Sequence, residues 1–132
     1  MSYKLLALDI DGTLLNRKSE LTPRTKSSIL LAQGRGVKVV LATGRRLTNT
    51  LPLVHTLGLT EFVVVHNGAV IFSPQAGKTM SQRGIDLPIA QELVDKLDGL
   101  GMNYVVYTGE SAGEQVMAPV GSTSTQPWPL AF

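Results

Sequence analysis

The feature that most constrains the fold is an apolar run near the N-terminus that ends at two acidic residues. Its sequence is Leu-Ala-Leu-Asp-Ile-Asp-Gly-Thr. The continuous apolar character of residues 4–8 is typical of a parallel strand that is buried on both faces. Asp9 and Asp11 follow two positions apart. Because side chains alternate along a strand, both carboxylates are predicted to face one crevice at the carboxyl end of the strand. Open α/β sheets bind their ligands at this edge.

Two neighbouring carboxylates repel each other unless a cation joins them. A divalent, oxygen-preferring ion such as Mg²⁺ meets this need, so Asp9 and Asp11 are candidate metal ligands, and the pattern suggests phosphate chemistry. The alternative is a strand end followed by a simple turn, because Asp-Gly is a common turn dipeptide. An Asp-x-Asp that closes an apolar strand and precedes Gly-Thr favours the functional interpretation.

A helix and a second strand are predicted to follow. Thr22 and Pro23 form a helix start, with Thr22 as the N-cap. The buried face of this helix is predicted to consist of Ile29, Leu30 and Ala32. Residues 37–42 form a second apolar run, which makes a βαβ unit with parallel strands. Thr43 then follows its strand as Asp9 follows the first, so both are predicted to lie at the same edge of the sheet.

The middle of the chain predicts another helix and a hairpin. Apolar residues at helical spacing favour a helix over 47–57 that stops at Gly58, with a kink or a later start caused by Pro52. Residues 62–66 form a third strand run, and the Asn-Gly pair at 67–68 predicts a two-residue hairpin turn. We interpret this pair as a tight turn rather than as part of a site.

The remaining residues predict a last helix and strand and then a segment of different composition. Asp86 is placed to cap a helix over 87–100, whose apolar face comprises Ile89, Leu93, Val94 and Leu97. A strand is predicted at 104–107. Residues 109–132 are rich in Gly, Pro, Ser and Thr and follow no helix or strand period, so we expect a mobile tail.

Composition excludes several classes of function. The chain has no cysteine, so a disulfide framework, a thiolate metal site and a cysteine nucleophile are impossible. Its net charge of +2 and the absence of a large basic cluster argue against a nucleic-acid partner. No apolar stretch approaches bilayer-spanning length, and no signal peptide is evident. We therefore expect a cytoplasmic protein without a membrane partner.

Three motifs resemble the haloacid dehalogenase-like (HAD) phosphatases. Asp-Ile-Asp-Gly-Thr at 9–13 matches their DxDGT signature, and Ala-Thr-Gly-Arg at 42–45 is similar to their second motif. Asn-Gly-Ala at 67–69 is similar to the Cof-type branch. The resemblance covers about residues 3–108 and implies an α/β fold, a HAD-like Rossmannoid parallel sheet. It also implies an N-terminal part of the core at 1–72 and the beginning of an α+β cap domain at 73–108.

The resemblance also implies roles for individual residues. Asp9 would be the nucleophile that forms an aspartyl-phosphate, and Asp11 would protonate the leaving oxygen and then activate water. The Asp9 carboxylate and the Asp11 backbone carbonyl would bind Mg²⁺. Thr43, Gly44 and the following amides would bind the substrate phosphate, with Arg45 adding charge or facing solvent. Gly12 would allow close approach of the backbone to the phosphoryl group.

Two further family motifs, a lysine and an acidic GDxxND-like loop, lie downstream in full members and have no counterpart in these 132 residues. The first strand would then be an exposed sheet edge. We expect this chain alone to bind Mg²⁺ weakly and to hydrolyse a small phosphorylated metabolite poorly or not at all. The alternative function is a non-catalytic scaffold or interaction module that self-associates through its open edge.

Overall fold

The computed structural model describes residues 3–107 and 116–117. Strands and helices alternate through the first half of the chain, as the sequence predicts. The strands are β1 (Leu5–Leu8), β2 (Lys38–Leu41), β3 (Val63–Val65), β4 (Val70–Ser73), β5 (Lys78–Gln82), β6 (Val106–Tyr107) and β7 (Val116–Met117). The helices are α1 (Pro23–Gly34), α2 (Leu47–Leu57) and α3 (Leu87–Gly99).

The predicted βαβ unit is confirmed. β1 and β2 are parallel and in register from Leu5 opposite Lys38 to Leu8 opposite Leu41, with α1 as the connection. A parallel bridge between Ala42 and Val64 continues this arrangement from β2 to β3. The carboxyl ends of β1, β2 and β3 therefore lie at one edge, where α/β folds place their ligands.

The predicted hairpin forms, but its turn is longer than expected. β3 and β4 are antiparallel, and Val65 pairs with Val70, so four residues connect the strands instead of two. The difference arises because His66, Asn67 and Gly68 all adopt positive φ and build an extra turn. β5, which the sequence did not predict, pairs antiparallel with β4. Its composition is polar, and most of its residues are exposed, as expected for a strand without a buried face.

Local signals set the ends of the first two helices. The Thr22 side chain caps α1 by accepting from the Thr25 N–H at 3.1 Å, as predicted. Gly58 ends α2 in the left-handed conformation, also as predicted. The predicted later start of α2 is wrong, because the helix begins at Leu47 and passes through Pro52, and the alternative of a kink at Pro52 stays a prediction. Buried residues lie on both sides of the proline, so packing holds the two halves in one helix.

The core lies between the sheet and the helices α1 and α2. Its buried apolar residues are Ile10, Leu14, Leu15, Ile29, Val39, Val40, Leu41, Leu47, Val54, Leu57, Leu59, Val63, Val65 and Val70. The prediction for α1 is correct for Ile29 and wrong for Leu30, which is 47% exposed. A fully buried β1 is also wrong, because Leu5 is 49% exposed and Leu6 is 36% exposed. Within the described residues β1 pairs only with β2, so the prediction that the first strand is an exposed sheet edge is confirmed for this part of the chain.

The chain divides into two compact units, the first extending to Arg83 and the second beginning at Gly84. The first unit includes β5, whereas the sequence assigned residues 73–108 to the cap-like region. In the second unit, Asp86 occupies the N-cap position of α3 without a capping side-chain hydrogen bond. No residue of α3 is buried, and Ile89 and Leu93 of its apolar face are 52% and 44% exposed.

The predicted strand at 104–107 is present as the shorter β6, which pairs antiparallel with β7. Residues 116–117, which the sequence assigned to a mobile tail, thus form a strand. The rest of that prediction, at 109–115 and 118–132, falls outside the described part of the chain. Among the helices that the structure describes, none is long and apolar enough to cross a membrane.

Candidate active site

The two acidic residues lie where the sequence predicts, immediately beyond the carboxyl end of β1. Asp9 continues the extended backbone of the strand, with φ −75° and ψ 159°. Both Asp9 and Asp11 are exposed, whereas Ile10 between them is fully buried. The apolar residue thus anchors the segment in the core while the two carboxylates remain accessible.

A tight turn follows Asp9 and explains the glycine of the motif. Asp11 (φ −81°, ψ 120°) and Gly12 (φ 75°, ψ −2°) have the dihedral angles of the two central residues of a type II turn. The second of these positions requires a positive φ, which glycine adopts without steric cost. A Cβ at Gly12 would meet nothing within 4 Å, so the backbone angle and not space demands glycine in this conformation. Close approach of Gly12 to a phosphoryl group stays a prediction.

The second motif forms a compact turn at the end of β2. The Thr43 N–H donates to the Val64 carbonyl at 2.9 Å, which fastens this turn to β3. Thr43 is buried, with 6% exposure, and its hydroxyl oxygen accepts from the Arg45 N–H at 3.1 Å. A hydroxyl has one hydrogen to donate as well as lone pairs to accept, so the Thr43 hydroxyl hydrogen is still available to a ligand.

Arg45 joins the two motifs through a bidentate ion pair with Asp11. Its Nε donates to Oδ2 of Asp11 at 2.8 Å, and Nη2 donates to Oδ1 at 2.5 Å. The side chains are 23% and 38% exposed, respectively. This geometry engages both oxygens of the Asp11 carboxylate. The prediction that Arg45 adds charge or faces solvent did not include this pairing.

The ion pair shifts the ionisation of both partners. The hydrogen bond from Arg45, reinforced by its charge, lowers the pKa of Asp11 below 3.8 against an opposing effect of burial. The hydrogen bond to Asp11 is the largest cause that raises the pKa of Arg45, and the charges of Asp11 and Asp9 also raise it. Arg45 therefore interacts with both carboxylates of the first motif. The site combines two acids and a guanidinium at the edge where β1 and β2 end.

An open groove lies beside Asp11, between the type II turn and the start of α1. Its volume is about 540 Å³. The residues that line it are Asp11, Gly12, Thr13, Leu14, Leu15, Asn16, Arg17, Ser19, Thr22 and Thr25. Small-molecule sites have volumes of about 300–1,000 Å³, so the groove has room for a metabolite-sized group next to Asp11, but Asp9, Thr43 and Arg45 do not line it.

The oxygen donors of the first motif fit Mg²⁺ in part. Among residues 3–107 and 116–117, no group of three or more acidic or histidine side chains is arranged to hold a metal ion. The Asp11 carboxylate is engaged by Arg45, which leaves the Asp9 carboxylate and the Asp11 backbone carbonyl as the donors that the resemblance implies. Mg²⁺ commonly keeps several waters and takes one or two protein carboxylates. The donor set therefore fits a mostly hydrated Mg²⁺ and not a closed protein cage.

Sequence reasoning named Asp9, Asp11, Thr43, Gly44 and Arg45 as candidates but missed how the two motifs are connected. A partial signal was the predicted parallel pairing of the first two strands, but the register that places Leu8 opposite Leu41 is known only from the structure. Residues that closely follow β1 and β2 along the chain therefore lie side by side at the same edge of the sheet. An acid two positions after Asp9 and an arginine two positions after Thr43 are natural partners in that arrangement.

Comparisons with known proteins give matches over most of the chain. The profile of the haloacid dehalogenase-like hydrolases matches residues 6–116. Phosphatase YwpJ of Bacillus subtilis (strain 168) is 34% identical over 108 residues, which make up 82% of this chain and 38% of that protein. The 5-amino-6-(5-phospho-D-ribitylamino)uracil phosphatase YcsE of the same strain is 39% identical over 72 residues, covering 54% of this chain and 29% of that protein.

A solved structure supports the same assignment of the fold. A haloacid dehalogenase-like hydrolase from B. subtilis matches with a TM-score of 0.71 and 35% identity, covering 80% of this chain and 37% of that chain. The chain thus spans well under half the length of these relatives. The family match reaches residue 116, so part of the segment that the sequence assigned to a tail also resembles the family.

Proposed function

The chain belongs to the haloacid dehalogenase-like hydrolase family, and we propose that it carries the nucleophile and phosphate-binding part of a Mg²⁺-dependent phosphatase site for a small phosphorylated metabolite. One observation carries this proposal. The Asp9–Asp11 segment and the Thr43–Arg45 turn lie at the same edge of two parallel strands and are joined by the ion pair between Asp11 and Arg45. A relative named for a phosphorylated ribitylaminouracil supports the substrate class.

The two carboxylates divide the chemistry between them. An oxygen of Asp9 attacks phosphorus, and the bond from phosphorus to the leaving oxygen breaks as Asp11 gives that oxygen a proton. Water then attacks the phosphorus of the aspartyl-phosphate while Asp11 takes a proton from it. The bond from phosphorus to the Asp9 oxygen breaks in this step, which releases inorganic phosphate and restores the Asp9 carboxylate. Thr43 and the amide of Gly44 donate hydrogen bonds to the phosphoryl oxygens during both steps.

Arg45 must change partners for this sequence to begin. In the structure it binds both oxygens of Asp11 and favours the ionised carboxylate, which cannot donate a proton. A phosphoryl group offers the guanidinium a more strongly charged partner with equally suitable geometry. Substrate binding therefore draws Arg45 from Asp11 to phosphate, and Asp11 becomes easier to protonate. Substrate binding thus makes Asp11 ready to act as the general acid.

Mg²⁺ would be held by the Asp9 carboxylate and the Asp11 backbone carbonyl, together with water. Bound there, it supplies positive charge that offsets the charges of Asp9 and the phosphoryl group. The lysine and acidic loop of the family pattern have no counterpart in these 132 residues. Losing such electrostatic groups costs orders of magnitude in rate, so we expect this chain by itself to turn over slowly.

The test is covalent phosphorylation as well as turnover. The full chain is incubated with an aryl phosphate, with and without Mg²⁺, and mass spectrometry measures the gain of one phosphoryl group. Asp9→Asn should abolish that gain, and Asp11→Asn should slow the loss of the phosphoryl group once formed. Asp95→Asn, the same change at an exposed acid of α3, is the matched control. Phosphorylation or turnover that survives Asp9→Asn would refute the assignment.

The exposure of β1 favours a second candidate function, an interaction module. Leu5 and Leu6 present apolar surface on a strand with one edge unpaired among the described residues. Such edges promote pairing with another chain. Light scattering should then detect self-association that rises with concentration and is weakened by Leu5→Lys. It should persist in Met80→Lys, a change at a similarly exposed residue of β5. A monomer at every concentration would exclude this candidate.

A further inference from the structure

The loop between β3 and β4 has an unusual backbone. Three consecutive residues, His66, Asn67 and Gly68, have φ values of 51°, 54° and 96°. A two-residue Asn-Gly hairpin turn needs only two left-handed residues, and non-glycine residues rarely adopt this conformation. Asparagine tolerates it better than most. Closing the hairpin therefore does not explain the conformation of the whole loop.

The loop makes backbone contacts with the second motif. The His66 N–H donates to the Arg45 carbonyl at 3.0 Å, and the Asn67 N–H donates to the Thr43 carbonyl at 3.2 Å. The Thr43 N–H in turn donates to Val64, the residue before the end of β3. The Thr43–Arg45 turn is thus fastened to β3 and its loop at three points.

The Asn67 side chain occupies the space in front of Gly44. A Cβ at residue 44 would lie 2.6 Å from Oδ1 of Asn67 and 3.3 Å from its Cγ. Gly44 does not have a positive φ, unlike Gly12. The glycine at 44 therefore leaves space and does not serve a special backbone conformation, and the atoms that take up this space belong to the Asn67 carboxamide.

We propose that Asn67 is a positioning residue. Its carboxamide packs on Gly44, and its N–H binds the Thr43 carbonyl. These contacts set the direction in which Thr43 and Arg45 present their donors to a phosphoryl group. The consequence for phosphate rests on the proposed function. The positioning itself does not, because its contacts exist without ligand. This inference replaces the interpretation of Asn67 and Gly68 as only a tight turn.

The first experiment exploits the close contact between the two residues. Asn67→Gly keeps the left-handed backbone and removes the carboxamide, and Gly44→Ala introduces the Cβ that meets it. Each change should weaken binding of inorganic phosphate in the presence of Mg²⁺ about tenfold, the effect of losing one well-placed hydrogen bond to a charged group. The double variant should bind as Asn67→Gly does, because the new Cβ at position 44 then has room. If the double variant instead loses phosphate affinity by the product of the two single effects, the contact between Asn67 and residue 44 is not the cause.

A matched control and a second readout separate positioning from stability. Gly34→Ala is the same change at a glycine with open space around it, and it should leave phosphate binding unchanged. In ligand-free protein, the NMR resonance of the Arg45 Nε–H reports its hydrogen bond to Asp11. That resonance should move in Asn67→Gly at unchanged thermal stability and return in Asn67→Asp, which restores Oδ1. A residue that only forms the turn would leave it unmoved.

The outcomes distinguish this inference from the proposed function. If the wild-type chain does not bind phosphate but the Arg45 resonance responds to Asn67→Gly, the positioning role stands and the phosphate assignment fails. If the chain binds phosphate and neither binding nor the resonance changes, the positioning role is refuted. Should Gly44→Ala unfold the protein, the resonance in Asn67→Gly and its return in Asn67→Asp still decide the question.

Discussion

Breaking the ion pair between Asp11 and Arg45 should destabilise the fold by an amount that depends on pH. Two unit charges about 4 Å apart attract by about 4 kcal/mol at an effective dielectric constant of about 20, but desolvation and ordering of the side chains offset most of this. Exposed pairs retain about 0.2–1 kcal/mol. The bidentate geometry and the partial burial of Arg45, which is 23% exposed, favour the upper end. We therefore expect a coupling free energy of about 1 kcal/mol.

A double-mutant cycle measures this coupling. The free energy of unfolding in urea is determined for the wild type, Asp11→Asn, Arg45→Gln and the double variant at pH 7 and low ionic strength. The coupling should shrink in high salt, because partly exposed charges are screened. A coupling of zero within error at low salt would show that solvation cancels the pair, and the electrostatic argument would fail.

The direction of the pH effect follows from the pKa of Asp11, which the folded state lowers below 3.8. As pH falls, the unfolded chain takes up a proton at this carboxyl before the folded chain does. The stabilisation is therefore present in full above pH 3.8 and is lost as pH falls through the lower, folded value. In Arg45→Gln the pKa of Asp11, followed by carbon NMR, should rise. A coupling that persists after Asp11 is protonated would contradict this account.

Three further changes test the local structure by urea unfolding. Gly12→Ala should cost about 1–2 kcal/mol, because an L residue must adopt the positive φ of the turn; an unchanged midpoint would mean that the turn rearranges. Leu41→Ala removes a fully buried side chain and should cost about 2–5 kcal/mol, whereas Leu31→Ala, at a residue that is 58% exposed, should stay within about 0.5 kcal/mol. Thr22→Ala should cost about 1 kcal/mol through loss of the α1 cap, and Thr22→Ser should retain most of that stability.

The sequence was most informative where structure depends on neighbours along the chain. The cap at Thr22 and the left-handed stop at Gly58 were predictable because they follow from side-chain hydrogen bonding and backbone sterics within a few residues. The apolar runs likewise predicted β1, β2 and β3 and the parallel order of the first two. Asp9, Asp11 and Thr43 followed from their positions directly after these strands.

The sequence was less informative about burial, which depends on what packs against an element. The apolar pattern of β1 predicted burial on both faces, yet Leu5 and Leu6 are exposed in a strand that is the edge of its sheet among the described residues. The prediction that Leu30 is buried was wrong for a related reason, because only part of the apolar surface of α1 contacts the core. Pro52 was expected to kink α2 or to delay its start, and the helix nevertheless begins at Leu47, with buried residues on both sides of the proline.

The sequence by itself therefore determined the family and the order of β1, α1, β2, α2 and β3, because each is encoded in short stretches of residues, and it predicted the chemistry of the first motif. The tertiary structure decided that Arg45 binds Asp11 and that the loop at Asn67 contacts the Thr43–Arg45 turn. Both contacts join residues that are distant along the chain. They exist only because the register of parallel strands brings three carboxyl ends to one edge.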